Sequence, residues 1–370
     1  EFVKKINSVL SPDIEFTGVG GSRMIAEGLR SLFPMEELSV MGLAEVLPKL
    51  FHIVSRIKQT ASEILKTKPD AVVTIDSPDF CFRVIKKLKA NGGNTPCIHY
   101  VAPSVWAWRP GRAKKVSRFL DHILTLLPFE PPYFEKHGLA ATFVGHPIVE
   151  RLSRRGDSGR FRKKYNIAET QKVLCLLPGS RMSELSRLLE KFSEAIETII
   201  KAKPDMMIAI PTLPHLKKYI QDFFAGKGIT PLIIDNEEDK FDCFATSTMA
   251  LAASGTVSLE LALTNTPHII AYRLSALSGW IARRLIKTPY ANLVNILDKR
   301  LVVPELIQEK CQPEIIAQEM LALIDNKNIQ AEQRRGFHEA LTLIGLEDPE
   351  TPSQKAAKAV LAVVGKAGAA

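Results

Sequence analysis

A chain of 370 residues is long enough for two domains, and its 46% apolar and 24% charged residues are those of a folded globular protein, which excludes a disordered or collagen-like chain. Lysine and arginine outnumber aspartate and glutamate 49 to 40, a net charge of +9 that suits an anionic partner such as a membrane surface, nucleotide or nucleic acid, and equally a merely basic soluble protein. No run approaches the roughly 18 apolar residues that span a bilayer, the opening Glu1-Phe-Val-Lys-Lys-Ile-Asn7 resembles the middle of a helix rather than a signal peptide, and five scattered cysteines without metal or redox spacing read as reduced, cytosolic thiols.

Residues 1–10 have helical spacing, Asp13 to Val19 reads as a strand running into Gly20-Gly21, and Arg23 to Gly28 as a helix. The stretch Met35 to Lys58 is the most apolar of the first half. Val40, Met41, Leu43, Val46, Leu47, Leu50 and Phe51 cover more than one narrow stripe, with Lys49, Arg56 and Lys58 among or after them. Apolar insertion beside cations is the pattern of an interfacial membrane segment; a buried core helix is the competing reading. Ala71 to Ile75 is then a strand, and Asp76 and Asp79 follow on its exit turn. Ligands bind at that edge of an open parallel sheet. A carboxylate there is placed to take a proton from an attacking hydroxyl, or else to cap the helix that opens at Pro78.

A second strand ends at Val101 and leads into a loop with Trp106, Trp108 and Arg109, which suits a sugar, phosphate or acyl chain, or simple packing on a neighbouring helix. His122 to Leu127 and Thr142 to Pro147 supply further short strands. Residues 151–165 are charged and lack a long apolar stripe, so they read as the domain junction with a solvated basic face. Beyond them strands and helices alternate again, which predicts a second parallel sheet covered on both faces.

In that half Val173 to Leu177 is a strand, Pro178-Gly179 break it, and Leu185, Leu188, Leu189, Phe192 and Ile196 mark one face of a helix. The start of such a helix presents backbone N–H groups and a positive dipole end, a natural phosphate seat, and Arg181 adds a two-pronged cation. Thr248 to Ala262 repeats the design: strand, Ser254-Gly255-Thr256 turn, then a helix with Glu260, whose carboxylate suits two ribose hydroxyls or merely complements the dipole. Together the two loops bracket one nucleotide. His268 to Tyr272 is a further strand ending at Arg273, Trp280 to Tyr290 is basic and amphipathic, and the chain is helical from about Pro313.

Several blocks in order resemble the lipid-A-disaccharide synthase family: Gly18-Val-Gly-Gly21, Val40-Met-Gly42, Ile75-Asp-Ser-Pro-Asp-Phe80, His99 through Arg109, Leu127-Pro-Phe-Glu130, Val144-Gly-His146, Leu177-Pro-Gly-Ser-Arg181, Ala253-Ser-Gly-Thr256 with Glu260, and Tyr272-Arg273. The resemblance implies an α/β, GT-B fold of two Rossmann-like domains facing across a cleft. Residues 1–150 would be the acceptor and membrane-facing domain, 151–330 the UDP-sugar domain, and 331–370 helices returning to the first. It implies an inverting transfer from UDP-2,3-diacylglucosamine to 2,3-diacylglucosamine 1-phosphate, at the cytoplasmic face of the inner membrane, in the making of lipopolysaccharide for a Gram-negative outer membrane. The family opens with a strand and a glycine-rich, acid-bearing loop; nothing before Glu1 supplies it, so the chain is expected to start inside the family's sequence.

In the roles so implied, Asp76 is the general base with Asp79 the runner-up. Gly179, Ser180, Arg181, Ser254, Gly255, Thr256, Glu260 and Asn295 hold UDP. Trp106, Trp108, Arg109 and Arg273 lie on the acceptor and lipid side, and Val40, Met41, Leu43, Val46, Leu47 and Leu50 face the membrane. No metal, cofactor or nucleic acid is expected, since an arginine and a helix dipole do a metal's electrostatic work; a homodimer is compatible. Two alternatives stand beside this reading: another GT-B UDP-sugar enzyme, such as a polyprenyl-linked glycosyltransferase or an epimerase, and a non-catalytic, membrane-associated nucleotide-binding scaffold.

Overall fold

A computed structural model describes residues 14–38, 46–154, 156–253, 257–274 and 288–368. The chain divides into two compact units, Glu1–Pro147 with Asp348–Ala370, and Ile148–Glu347. In the first, a small parallel pair, β1 (Thr17–Gly18) with β2 (Arg30–Ser31), precedes four parallel strands: β3 (Val72–Ile75), β4 (Cys97–Tyr100), β5 (His122–Thr125) and β6 (Ala140–Phe143). The four lie side by side in chain order. Alternation along each strand sends successive side chains to opposite faces. Cys97 and Ile123 pack against Phe82, Ile85 and Leu88 of the helix Pro78–Ala90 and Val116 of the helix Gly111–Val116. Ile98, Tyr100 and Leu124 pack on the other side against Ala356 and Val360 of the helix Pro352–Gly368.

The helix Val46–Thr67 lies against the helix Pro78–Ala90, with Ile57 and Ala61 buried on Val84. Its outward side shows Phe51, 80% exposed, and Val54. One face is therefore core, as the competing reading held, and the other carries apolar side chains into solvent. Val40, Met41 and Leu43 lie outside the described residues; Val46, Leu47 and Leu50 open this helix, with their side chains outside the description. Residues 1–10, with their helical spacing, and 280–287 of the basic amphipathic stretch also fall outside it.

The second unit holds one six-stranded parallel sheet ordered β12-β11-β10-β7-β8-β9, built from β7 (Lys172–Leu177), β8 (Met206–Pro211), β9 (Leu232–Ile234), β10 (Met249–Ala252), β11 (His268–Tyr272) and β12 (Glu305–Ile307). Counted within the unit this is the order 3-2-1-4-5-6 of a doubly wound nucleotide-binding sheet. Helices Met182–Ala202, Pro214–Phe224 and Pro313–Asp325 bury Leu188, Phe192, Leu216, Ile316 and Met320 with the sheet in one core.

The unit boundary falls later than residue 331. The helix Lys327–Leu343 stays with the second unit because Phe337 stacks on His268 at 5.1 Å and Gln333 exchanges hydrogen bonds with the His268 backbone. Only Asp348–Ala370 belongs to the first unit. The basic junction is likewise more than a solvated face. Within it the helix Ser158–Lys164 is tied to the helix Glu237–Thr246 through Arg160 on buried Asp242 and Lys164 on buried Asp239. All five cysteines are free thiols, four of them buried.

Candidate active site

β7 and β10 are hydrogen-bonded neighbours at the point where the strand order of the second unit reverses. The chain leaves β7 outward through Gly179 to Arg181 and leaves β10 through 254–256. The two strand ends are clamped together, the Ala253 N–H donating to the Leu177 carbonyl at 2.8 Å. Crevices at the carboxyl ends of such reversing strands are where doubly wound sheets take ligands. The strand ends that lead into the two loops singled out from sequence thus share one edge. Ser254, Gly255 and Thr256 themselves lie outside the described residues.

Gly179 has φ +128, and a Cβ there would sit 2.5 Å from Glu184 Cβ, so glycine is required by conformation and by space. The turn wraps the Glu184 carboxylate. Oε2 accepts from the N–H of Ser180 at 2.9 Å and of Arg181 at 3.3 Å, and Oε1 accepts from the Tyr272 hydroxyl at 3.3 Å. The backbone donor of Ser180, one of the residues expected to hold UDP, is thus occupied here by an internal carboxylate. The Arg181 side chain is 78% exposed, with a loose 3.8 Å pairing to Glu184, and keeps its charge available to an incoming anion. Glu184 was missed from sequence; its signal was an acid three residues into a helix.

Glu260, 13% exposed at its side chain, meets Lys240 at 2.7 Å and Arg151 at 3.5 Å. Asn295 is fully buried, and its amide is committed within the fold. Oδ1 accepts from the N–H of Val302 and Val303, and Nδ2 donates to Val303 O and Glu305. Its side chain positions that loop rather than offering a free hydrogen-bonding edge. Arg273 follows β11 and is exposed in the second unit, not in the unit of the tryptophan loop with which it was grouped.

In the first unit the carboxyl ends of β3 and β4 form a strained edge. Asp76 (φ 50), Ser77 (φ 42) and Val101 (φ 78) all hold left-handed backbone without being glycine. Such conformations cost about 1–3 kcal/mol each and persist where surroundings impose them, often at functional sites. The imposing contacts here include Asp76 N–H to Tyr100 O at 2.9 Å and Val101 N–H to Leu124 O at 3.2 Å. The Asp76 side chain does not cap the following helix: Ser77 holds the N-cap position, without a side-chain cap. Asp79 is 97% exposed at its side chain and 3.8 Å from Arg112.

The tryptophan loop divides its work. Trp106 turns inward, edge-on to Phe129 at 5.2 Å, and its Nε1 donates to Glu130 at 3.0 Å. Glu130 also accepts from the N–H of Leu126 and Leu127 at 3.0 Å, and burial pushes its carboxyl up to about 6 despite these bonds. Trp108 is exposed, with the Arg109 guanidinium 3.9 Å above its ring. Glu130 entered the sequence reading only inside a motif; an acid between Pro128 and Pro131 in an apolar stretch was the signal. Among the described residues no group of three or more His, Cys, Asp or Glu is arranged to hold a metal ion.

The fold and these strand-end loops define a GT-B protein of two Rossmann-like units. Solved structures of that shape include a UDP-GlcNAc 2-epimerase from Neisseria meningitidis (TM-score 0.63, 13% identity, 99% of this chain and 96% of that one). A glycosyltransferase from Rickettsia africae is also similar (TM-score 0.58, 13% identity, 99% and 93%). At such identities the likeness speaks for the fold alone.

Residues 2–359 match the family model described as lipid-A-disaccharide synthetase. The chain is 48% identical to a lipid-A-disaccharide synthase of Rhodospirillum centenum, over 98% of this chain and 90% of the relative. It is 45% identical to that of Paramagnetospirillum magneticum, over 95% and 90%. The chain belongs to the lipid-A-disaccharide synthase family and is a glycosyltransferase of lipid A biosynthesis. Neither the epimerase nor the scaffold alternative is favoured.

Proposed function

We propose that the enzyme moves 2,3-diacylglucosamine from its UDP derivative to O6 of 2,3-diacylglucosamine 1-phosphate, giving a β-1,6-linked disaccharide 1-phosphate and UDP. The observation that carries this reading is the β7–β10 switch point, where the Arg181 loop and the strand leading to Glu260 share one edge. The second unit holds the donor: Arg181 and the dipole of the helix Met182–Ala202 stabilise the diphosphate as it departs, Gly179 lets the chain turn, and Ser254 to Thr256 with Glu260 take the nucleoside. Glu184 keeps the turn in shape and Asn295 the loop at 302–303. The acceptor is taken by the first unit, with Trp108 and Arg109 beside it and Trp106 as their anchor. Asp76 accepts the proton of the acceptor 6-hydroxyl as that oxygen attacks the anomeric carbon of the donor. The bond to the diphosphate breaks on the opposite face, so the configuration inverts.

The exposed Phe51 and Val54 fit contact with a bilayer surface at the cytoplasmic face of the inner membrane, where acylated substrates reside. Among the described residues no helix is long and apolar enough to cross a membrane.

Asp76→Ala is expected to lower kcat by roughly 10²-fold or more in a UDP-release assay with both acylated substrates, while UDP affinity by calorimetry holds. Turnover at the wild-type rate would remove Asp76 from the role and leave Asp79 to be tested in its place.

A further inference from the structure

Away from the strand-end loops, the first unit has a cavity of about 380 Å³ lined by Lys86, Lys89, Lys115, Arg118 and Phe119. Lys86 and Lys89 lie in the last turns of the helix Pro78–Ala90, which leads to the start of β4. Lys115 lies in the last turn of the helix Gly111–Val116, and Arg118 and Phe119 come just before the start of β5. The cavity therefore sits by the amino ends of β4 and β5, whereas Asp76 and Val101 mark the carboxyl edge. It belongs to no step of the sugar transfer.

Its charge is unbalanced. Lys89 is matched by Asp121 at 3.2 Å and also donates to Thr95 O. Lys86 lies 4.9 Å from the centre of the Phe119 ring, a cation–π contact without charge neutralisation. Among the described residues Lys86, Lys115 and Arg118 have no carboxylate partner. The helix dipole accounts for one lysine at a carboxyl end, but not for four cations, three from two helices and Arg118 from the segment before β5, converging on one hollow. Like charges held within a Debye length repel, and an anion carrying more than one negative charge relieves that repulsion. The volume is that of a small-ligand site, and ammonium groups with a guanidinium are the donors that phosphate oxygens take.

We propose that this cavity is a second anion site, one that binds a phosphate group with two or more negative charges, carried by a soluble polyphosphate or by a phospholipid headgroup. The test uses the full chain with saturating UDP, so that the nucleotide site is filled. Inorganic pyrophosphate is titrated by calorimetry in one arm. In the other, flotation measures partition onto phosphatidylcholine vesicles with and without phosphatidic acid, whose phosphomonoester can carry two charges.

In the triple variant Lys86→Ala, Lys115→Ala, Arg118→Ala, affinity for one of the two probes is expected to fall about 10²-fold, given roughly tenfold or somewhat less per cation near an anionic surface. Loss in the pyrophosphate arm assigns a soluble ligand; loss confined to phosphatidic acid vesicles assigns a headgroup. Arg118→Gln alone carries the same test at about a tenfold scale if the triple variant melts early. Wild-type protein that binds neither probe, or variants that bind both as the wild type does, would overturn the site.

Discussion

The Glu184 carboxylate is the residue on which the nucleotide edge turns. It fills the loop after β7 in the place where sequence reasoning put a phosphate, holding the N–H groups of Ser180 and Arg181. Gly179→Ala tests this directly. A methyl group at φ +128, 2.5 Å from Glu184 Cβ, must displace the acid or the turn. We expect a loss of about 1–3 kcal/mol in stability and a clear drop in UDP affinity by calorimetry; an unchanged isotherm would show that the turn does not shape the diphosphate seat. At this scale legibility followed the way each residue works. Asp76 and Arg181 stand at strand ends and were readable from position. Glu184, Glu130 and Asn295 act by accepting or donating to backbone groups that only the folded chain brings near them.

Among the elements, strands with continuous apolar runs were legible because buried parallel strands need little else: Val173 to Leu177 falls within β7 and Ala71 to Ile75 covers β3. The junction helix Ser158–Lys164 was not. Its stability comes from partners some eighty residues away, and a local pattern of arginines and lysines reads as solvated. Asp242 is fully buried and accepts from Asp157 N at 2.7 Å and from two guanidinium nitrogens of Arg160 at 2.6 and 2.9 Å. Arg160 is half exposed, so solvent screens its share of the pairing. In Asp242→Ala the Asp157 N–H loses a charged acceptor together with the Arg160 pairing, a loss of about 1–3 kcal/mol. Urea unfolding is expected to show that decrease, and Arg160→Ala a smaller one. Equal effects would mean the ion pair, not the backbone bond, dominates.

For the molecule as a whole, acid sensitivity follows from two buried imidazoles. Burial lowers His99 and His268 from 6.5 to about 4. Their stabilising contribution is complete above pH 6.5 and is lost as pH falls toward 4, because the unfolded chain takes up protons that the folded chain refuses. Glu130 works the other way. Raised to about 6, it favours the folded state on the acid side of that value, but its shift is smaller than either histidine's. The net expectation is a loss of a few kcal/mol between pH 6.5 and 4, read by denaturant titration at both ends; His268→Gln should flatten the slope, and a flat wild-type profile would reject the account. The two-unit α/β plan was legible in the alternation of strand and helix patterns, and β12-β11-β10-β7-β8-β9 supplies the strand order that alternation leaves open. The point at which the chain goes back to the first unit was harder to read, since Lys327–Leu343 and Pro352–Gly368 are similar amphipathic helices and differ chiefly in what they cover.

That late crossing bears on how the protein is made. The ribosome delivers β3 to β6 early, yet the helix that shields Ile98, Tyr100 and Leu124 emerges only after the whole second unit. Throughout translation of some two hundred intervening residues the nascent sheet keeps one greasy flank uncovered, an invitation to chaperones and to aggregation alike.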